Sequence, residues 1–231
     1  MAKRSPARAR AKRSVHDSAE TRQRLIAAAR DLFADRGFAR VTVRDICAEA
    51  SANVAAVSYH FGDKLGLYRE IVGEAIDVLK QTSMISTDTV PGASAEERLR
   101  HYVRTFLPRL ANPSDETQWI GKLMNHEMAD PTPIATWIFE EAIMPRLMHL
   151  RDIIAELLDS DRDDPLVMRC VASVQAQCLF YRADPFKAAV ANWPPADDAS
   201  VAAVADHIVA FSLAGIAAAR CAPGGMQRTQ Q

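Results

Sequence analysis

Hydrophobic side chains recur at helical spacing along most of the chain. From about residue 18 to 36, the apolar residues Leu25, Ala29, Leu32 and Phe33 fall on one helical stripe. Asp17 and Glu20 offer a cap for the start of this helix, and Gly37 stands where a left-handed residue ends one. Phe38 follows in position to pack back on the helix. The pattern predicts a first helix with defined ends.

Two short helices with a tight turn between them are predicted next. Thr42 and Asp45 form a capping-box pattern before a helix over 43–50. Asn53 is a good N-cap for another over 54–60, and Asp63 caps a fourth helix that runs to about Lys80. A helix, a three-residue turn and a second short helix are typical of the helix-turn-helix, which places its second helix in a major groove.

The rest of the chain alternates helical stripes with segments rich in Pro, Asp and Asn. Helices are predicted at about 94–110, 114–129, 133–159, 164–182 and 198–220. No stretch alternates at period two, so the predicted fold class is all-α. The predicted organisation is a disordered basic arm over 1–16, a helix-turn-helix domain over 17–80, a helical effector-binding and dimerisation domain over 81–222, and a frayed tail over 223–231.

Charge changes this picture in one respect. The net charge is -1, but residues 1–70 hold fourteen Lys and Arg against eight Asp and Glu, and the remainder is acidic. A basic front suggests a polyanionic partner, although two solvated surfaces would give the same pattern. The arm over 1–16 carries six Lys or Arg, and either solubilises the protein or holds DNA phosphates.

Other classes of protein find little support in the sequence. The four cysteines form no CxxC pair, and no GxSxG, GxGxxG, P-loop or HExxH motif is present. No signal peptide and no stretch of about 20 apolar residues is recognised. We therefore expect a cytoplasmic protein that is not an enzyme, has no cofactor or metal, and has no membrane partner.

The stretch from Thr21 to Lys64 resembles the N-terminal domain of the TetR family of regulators. The resemblance is carried by Gly37-Phe38, the run from Thr42 to Ile46, Ala48-Glu49-Ala50 and Tyr59-His60-Phe61. It implies that Thr42 caps the second helix and contacts a phosphate. Base edges would be contacted by Val54, Ala55 and Ser58, and phosphates by Tyr59, His60 and Lys64. The predicted DNA-binding residues are Thr42, Arg44, Asn53, Val54, Ala55, Ser58, Tyr59, His60 and Lys64.

Two positions depart from the family pattern. Ser51 stands where members usually have glycine, which predicts a strained or bent turn. Ser58 stands where many members have tyrosine, so the usual tyrosine–phosphate contact at that position is in doubt.

For the rear domain, the family implies a variable ligand-binding region and dimerisation through the last two long helices. Residues 164–182 and 198–220 are apolar and low in charge, which fits either a dimer face or internal core helices. Residues 119–146 and 175–186 also resemble a CerR-type C-terminal domain, as in Asn125-His126-Glu127 and Ile143-Met144-Pro145.

Aromatic and polar residues of the rear domain are candidates for an effector pocket, although most such residues are plain core. The candidates are Trp119, Met124, His126, Trp137, Tyr181 and Arg182. Arg182 could hold an anionic effector or pair with Asp184. His126, Glu127 and Asp130 could ligate a metal, since His126 and Asp130 share a helix face at i, i+4. Without a third strong ligand beside that pair, no metal site is predicted.

The sequence thus predicts a homodimeric transcriptional regulator that binds a double-stranded DNA operator. A repressor released from a palindromic operator by a small-molecule effector is favoured. An activator of the same architecture, and a protein-interaction module with nonspecific basic binding, remain alternatives.

Overall fold

The computed structural model describes residues 6–87, 92–114, 116–183, 189 and 197–221, with only the backbone described over 6–16 and 82–87. All regular structure within these ranges is helical, which confirms the all-α class. The helices are α1 (Pro6–Arg36), α2 (Val43–Glu49), α3 (Val54–Phe61), α4 (Lys64–Thr87), α5 (Ala95–Ala111), α6 (Gln118–Ala129), α7 (Ala135–Ile138), a π-helical turn (Phe139–Ile143), α8 (Met144–Leu158), α9 (Pro165–Phe180) and α10 (Asp198–Cys221).

The chain divides into two compact units. Unit 1 holds residues 1–77 and 117–136, and unit 2 holds residues 78–116 and 137–231. The predicted boundary near residue 80 therefore misses one element. Helix α6 lies within the predicted rear domain, but it packs against α1 in unit 1. The reason is the apolar stripe of α6, with Ile120 and Leu123, which needs a partner surface to be buried.

Unit 1 has an aromatic centre beneath the helix-turn-helix. Phe33 and Tyr68 are buried and meet edge-on, with ring centroids 5.0 Å apart. Phe38 packs 4.8 Å from Tyr68, as expected for a residue that folds back on α1. Gly37 has φ +77°, and its amide donates to Phe33 O at 2.9 Å, which confirms the left-handed end of α1.

Unit 2 is a bundle in which α5, α8, α9 and α10 share one apolar core. Buried side chains of this core include Leu99 and Val103 from α5, Leu150 and Ile154 from α8, Val167 and Val174 from α9, and Val201 and Ile208 from α10.

Helix α1 begins at Pro6, so the predicted start near Ser18 and the Asp17 cap are wrong. The backbone of 6–16 is helical rather than irregular, while residues 1–5 of the predicted arm lie outside the described part. Proline fits the first turn of a helix, and the alanines and arginines that follow are strong helix formers. Helix α4 also runs to Thr87, beyond the predicted end at Lys80.

The single helix predicted over 133–159 is interrupted by the π-helical turn before Met144. Pro145 has no amide hydrogen and its ring collides with the carbonyl of residue 141, so the helix widens at this point.

Helix α10 is long and apolar enough to cross a membrane, by length and composition alone. The expectation that no such stretch exists is therefore wrong. Its inward face, which includes Val201, Ile208 and Ile216, packs into the core of unit 2. The remaining apolar surface of this helix includes Phe211, which is 63% exposed.

Candidate DNA-binding site

The start of α2 is fixed by its own cap. Thr42 Oγ1 accepts from Asp45 N at 3.2 Å, and Asp45 Oδ2 accepts from Thr42 N at 2.8 Å, which confirms the predicted capping box. The hydroxyl of Thr42 also donates to that carboxylate, and these hydrogen bonds hold the pKa of Asp45 below its usual value. Thr42 is exposed, so the amino-terminal end of α2 faces solvent with a defined geometry.

The turn between α2 and α3 contains a left-handed serine. Ser51 has φ +48°, a conformation that glycine adopts at lower cost. The prediction of strain at this position is confirmed. The turn delivers Asn53, whose Oδ1 accepts from Ala55 N at 2.9 Å and so caps α3, as predicted.

Helix α3 buries one face and leaves the other open. Val57 points into unit 1 and is only 1% exposed. Val54 and Tyr59 are 49% and 80% exposed, and Ala55 and Ser58 are exposed as well. Val54 and Tyr59 together give this exposed face both apolar surface and a hydroxyl that are open to a partner. The open face of α3 therefore has the form of a contact surface.

The remaining predicted contacts lie beside this face, with one exception. Arg44 is exposed on α2, and His60 is half-buried next to Tyr59, with ring centroids 4.9 Å apart. Lys64 has other partners: its Nζ donates to Phe38 O at 2.9 Å and Val41 O at 3.0 Å.

Lys64 thus holds the loop between α1 and α2 in place. Its Nζ also lies 4.1 Å from the centroid of the Phe38 ring, a cation–π distance. A phosphate would have to share an ammonium that already has three neighbours. No local pattern predicts these hydrogen bonds, because the two carbonyls lie 26 and 23 residues upstream of Lys64.

The pairing of Tyr68 with Glu127 supports the site, although the sequence predicts no role for Tyr68 and only a possible metal-ligand role for Glu127. Tyr68 Oη donates to Glu127 Oε1 at 2.5 Å, and Glu127 Oε2 accepts from Thr132 N at 3.1 Å. Burial, and then the bond to Glu127, raise the pKa of Tyr68 well above its usual value. Glu127 continues the apolar stripe of α6 after Ile120 and Leu123. A carboxyl group on such a buried face needs a buried hydrogen-bond partner, and this is the sequence signal for the pairing.

The candidate pocket residues are divided between the two units. Trp119, Met124 and His126 belong to unit 1, and Trp137, Tyr181 and Arg182 belong to unit 2; all six are half-buried. Asp184, the possible partner of Arg182, lies outside the described residues.

Two of the unit 1 candidates pack α6 against α1. The guanidinium of Arg30 lies 5.6 Å from the Trp119 ring centroid, and a Cβ at Gly37 would come within 3.0 Å of His126 Nδ1. Among the residues with described side chains, no three His, Cys, Asp or Glu are grouped to hold a metal ion.

Two family models match the chain. Residues 25–71 match the tetR family of bacterial regulatory proteins, and residues 95–216 match the C-terminal domain of the HTH-type transcriptional dual regulator CecR. The latter is the domain type given above as CerR. The second match covers more than half of the chain.

Individual proteins agree with these models. The chain is 27% identical to the dual regulator CecR of Shigella flexneri over 176 residues, 71% of this chain and 76% of that protein. It is 34% identical over 64 residues to the transcriptional repressor BepR of Brucella suis, 28% of this chain and 31% of that protein. A TetR-family regulator from Streptomyces coelicolor shares the fold, with a TM-score of 0.59 and 18% identity over 86% of this chain and 96% of that one.

These matched proteins are regulators of transcription and not enzymes. The helix-turn-helix of unit 1 lies where the tetR model matches, and its α3 presents an open face. The chain belongs to the TetR family of DNA-binding transcriptional regulators, with a C-terminal domain of the CecR type.

Proposed function

We propose that this protein is a repressor that binds a palindromic operator as a homodimer and leaves it when a small-molecule effector binds. The observation that carries the proposal is the open face of α3, with Val54, Ala55 and Ser58 exposed on a helix capped at Asn53. Small side chains at the start of such a helix let its backbone approach base edges closely. Apolar contacts and DNA shape would supply the specificity.

Phosphate contacts would come from the ends of this face. Tyr59 is 80% exposed, so its hydroxyl is open to a phosphate, and Thr42 is exposed at the amino-terminal end of α2. Arg44 adds a positive charge nearby. Lys64 would act mainly by holding the loop that positions α2.

A homodimer is supported by the surface of α9 and α10. Met168, Leu179, Phe180 and Phe211 are between 41% and 63% exposed. Exposed apolar side chains on neighbouring helices are typical of a dimer face. A palindromic operator also needs two DNA-binding domains, one for each half-site. The groove between Phe180 and His207 lies on the same surface. A DNA partner supports a cytoplasmic location.

An effector would act by favouring one of two conformations. Helix α6 belongs to the segment matched by the CecR domain, yet it is bonded to α4 in unit 1 through Glu127 and Tyr68. A shift of α6 would therefore reach the helix that follows α3. Repression is the favoured effect on transcription because one relative is named a repressor. Activation is the second candidate, because another relative is named a dual regulator.

A gel-shift assay tests the proposal, with purified protein, the intergenic DNA upstream of its own gene, and a salt titration. A discrete shift that survives excess random competitor is expected. A smear that any competitor removes would leave nonspecific basic binding, and the interaction-module alternative would then lead. Transcription from the same DNA in vitro gives the sign, since a repressor lowers it and an activator raises it.

A further inference from the structure

Arg146 on α8 is a guanidinium without a carboxylate partner. No described residue forms an ion pair with it, and its Nε is sealed from solvent without a hydrogen bond. Its guanidinium carbon lies 3.8 Å from the centroid of the Phe106 ring. By contrast, Arg98 and Arg151, which are also partly buried in unit 2, each have a carboxylate neighbour. Burial lowers the pKa of Arg146.

The groups around Arg146 are neutral. Burial raises the pKa of the Cys178 thiol to about 12, and that of the Tyr102 phenol to about 12. Burial also lowers the pKa of His149, so its imidazole is uncharged at neutral pH. None of these side chains can therefore balance the positive charge of Arg146.

The same neighbourhood has unused hydrogen-bonding capacity. Gln175 Nε2 donates to Tyr102 Oη, but Gln175 Oε1 is buried and without a donor. His149 Nε2 is likewise buried and unbonded, and the ring of His149 lies 6.4 Å from that of Tyr102. The Tyr102 hydroxyl accepts from Gln175, and no described residue accepts its proton.

Buried polar atoms without partners are rare in folded proteins. Here a cation, a hydroxyl donor and an amide acceptor from three helices meet around two aromatic rings, Tyr102 and Phe106, whose centroids are 5.9 Å apart. Aromatic walls with a few convergent polar groups are typical of a small-molecule site.

We propose that Arg146, Tyr102 and Gln175 bind the effector of this regulator, and that the effector is an organic acid with a hydroxyl group. The carboxylate would accept from the guanidinium of Arg146 and from the Tyr102 hydroxyl. The hydroxyl of the ligand would donate to Gln175 Oε1, with its body against Phe106. The link from this site to DNA release rests on the proposed function, whereas binding of the acid does not.

Isothermal titration calorimetry of the full-length protein tests the site without DNA. The probe is 4-hydroxybenzoate, and its neutral counterpart 4-hydroxybenzamide has nearly the same shape. The variants are Arg146→Met, which keeps a long apolar side chain, Tyr102→Phe, and the control Arg100→Met, since Arg100 lies on the exposed surface of α5. Circular dichroism melting checks that each variant is folded.

We expect wild-type protein and Arg100→Met to bind 4-hydroxybenzoate alike. Arg146→Met should bind at least about tenfold more weakly, and so should the amide with wild-type protein, because a tenfold loss is about 1.4 kcal/mol. Tyr102→Phe should give a smaller loss. Arg146→Met should also melt no lower than wild type, since it removes an unpaired charge.

Three results would overturn the proposal: equal binding of the acid by Arg146→Met, equal binding of the amide by wild type, or no binding of the acid by wild type at millimolar concentration. Any of these three results would be independent of the gel shift with upstream DNA, which is measured without the acid. Loss of that shift with intact acid binding would instead overturn the proposed function alone.

Discussion

The helix-turn-helix and the cluster around Tyr102 differ in how far their polar groups are hydrogen-bonded. Between Thr42 and Lys64, the caps of α2 and α3 are complete and the Lys64 ammonium has two carbonyl acceptors. Around Tyr102, one polar atom of each of three side chains is buried without a partner: Arg146 Nε, His149 Nε2 and Gln175 Oε1. A surface that must dock on DNA gains from being rigid before contact, whereas a site that must respond to a ligand gains from bonds that only the ligand completes.

The largest effect is expected at the open face of α3. Ala55→Phe should weaken binding to upstream DNA by roughly a hundredfold, or about 2.7 kcal/mol, because the ring blocks the approach to base edges. The melting temperature should stay near that of wild type, since Ala55 is exposed. Fluorescence anisotropy measures the affinity, with Ala129→Phe, at an exposed position of α6, as control. Full affinity of Ala55→Phe would mean that α3 does not enter a groove.

The completed bonds of unit 1 should be costly to remove. Tyr68→Phe leaves the buried Glu127 carboxylate without its hydroxyl donor, and should lower the free energy of unfolding by about 1–3 kcal/mol. Chemical denaturation measures this loss. The matched variant Tyr59→Phe alters an exposed hydroxyl and should change stability by less than about 0.5 kcal/mol. Equal stability of both variants would show that the Tyr68–Glu127 bond contributes nothing.

Lys64→Met separates a structural role from a phosphate contact. The variant keeps the apolar stem but loses two hydrogen bonds to the loop before α2, so we expect a loss of about 1–2 kcal/mol in unfolding free energy. A phosphate contact predicts instead that the slope of log affinity against log salt falls by about one unit. Unchanged stability together with a flatter slope would return Lys64 to the DNA interface.

The smallest effect concerns the turn. Ser51→Gly should raise the unfolding free energy by about 0.5–1 kcal/mol, because glycine adopts φ +48° without the Cβ collision. Ser58→Gly, in the middle of α3, should instead lower it by roughly 0.5 kcal/mol. Thermal melting of the two variants compares them directly. A lower melting point for Ser51→Gly would mean that the serine side chain stabilises the turn.

Features set by neighbours in sequence could be predicted, and those set by distant residues could not. The helix ends of the helix-turn-helix are marked by residues no more than four positions apart: Thr42 with Asp45, Asn53, and Gly37 with Phe38. Local signals therefore suffice to predict this motif. The π-helical turn before Pro145 was missed although its cause is also local.

The distant pairings had no comparable signal. Tyr68 and Glu127 are 59 residues apart, and Tyr102 and Gln175 are 73 apart. Periodicity shows which face of a helix is buried but not which helix covers it, so neither the packing of α6 on α1 nor the surroundings of Arg146 could be predicted. The predicted pocket residues were chosen for residue type, and type alone does not decide whether a side chain is packed or unpaired.

A hydroxyl-radical footprint of the protein on its upstream DNA is the most direct test of the central claim, that two copies of α3 read one palindrome. The account predicts two protected patches related by twofold symmetry, with centres about 10–10.5 base pairs apart or a multiple of that spacing. Both patches should vanish with Ala55→Phe. A single patch, or uniform weak protection of the whole fragment, would contradict the claim.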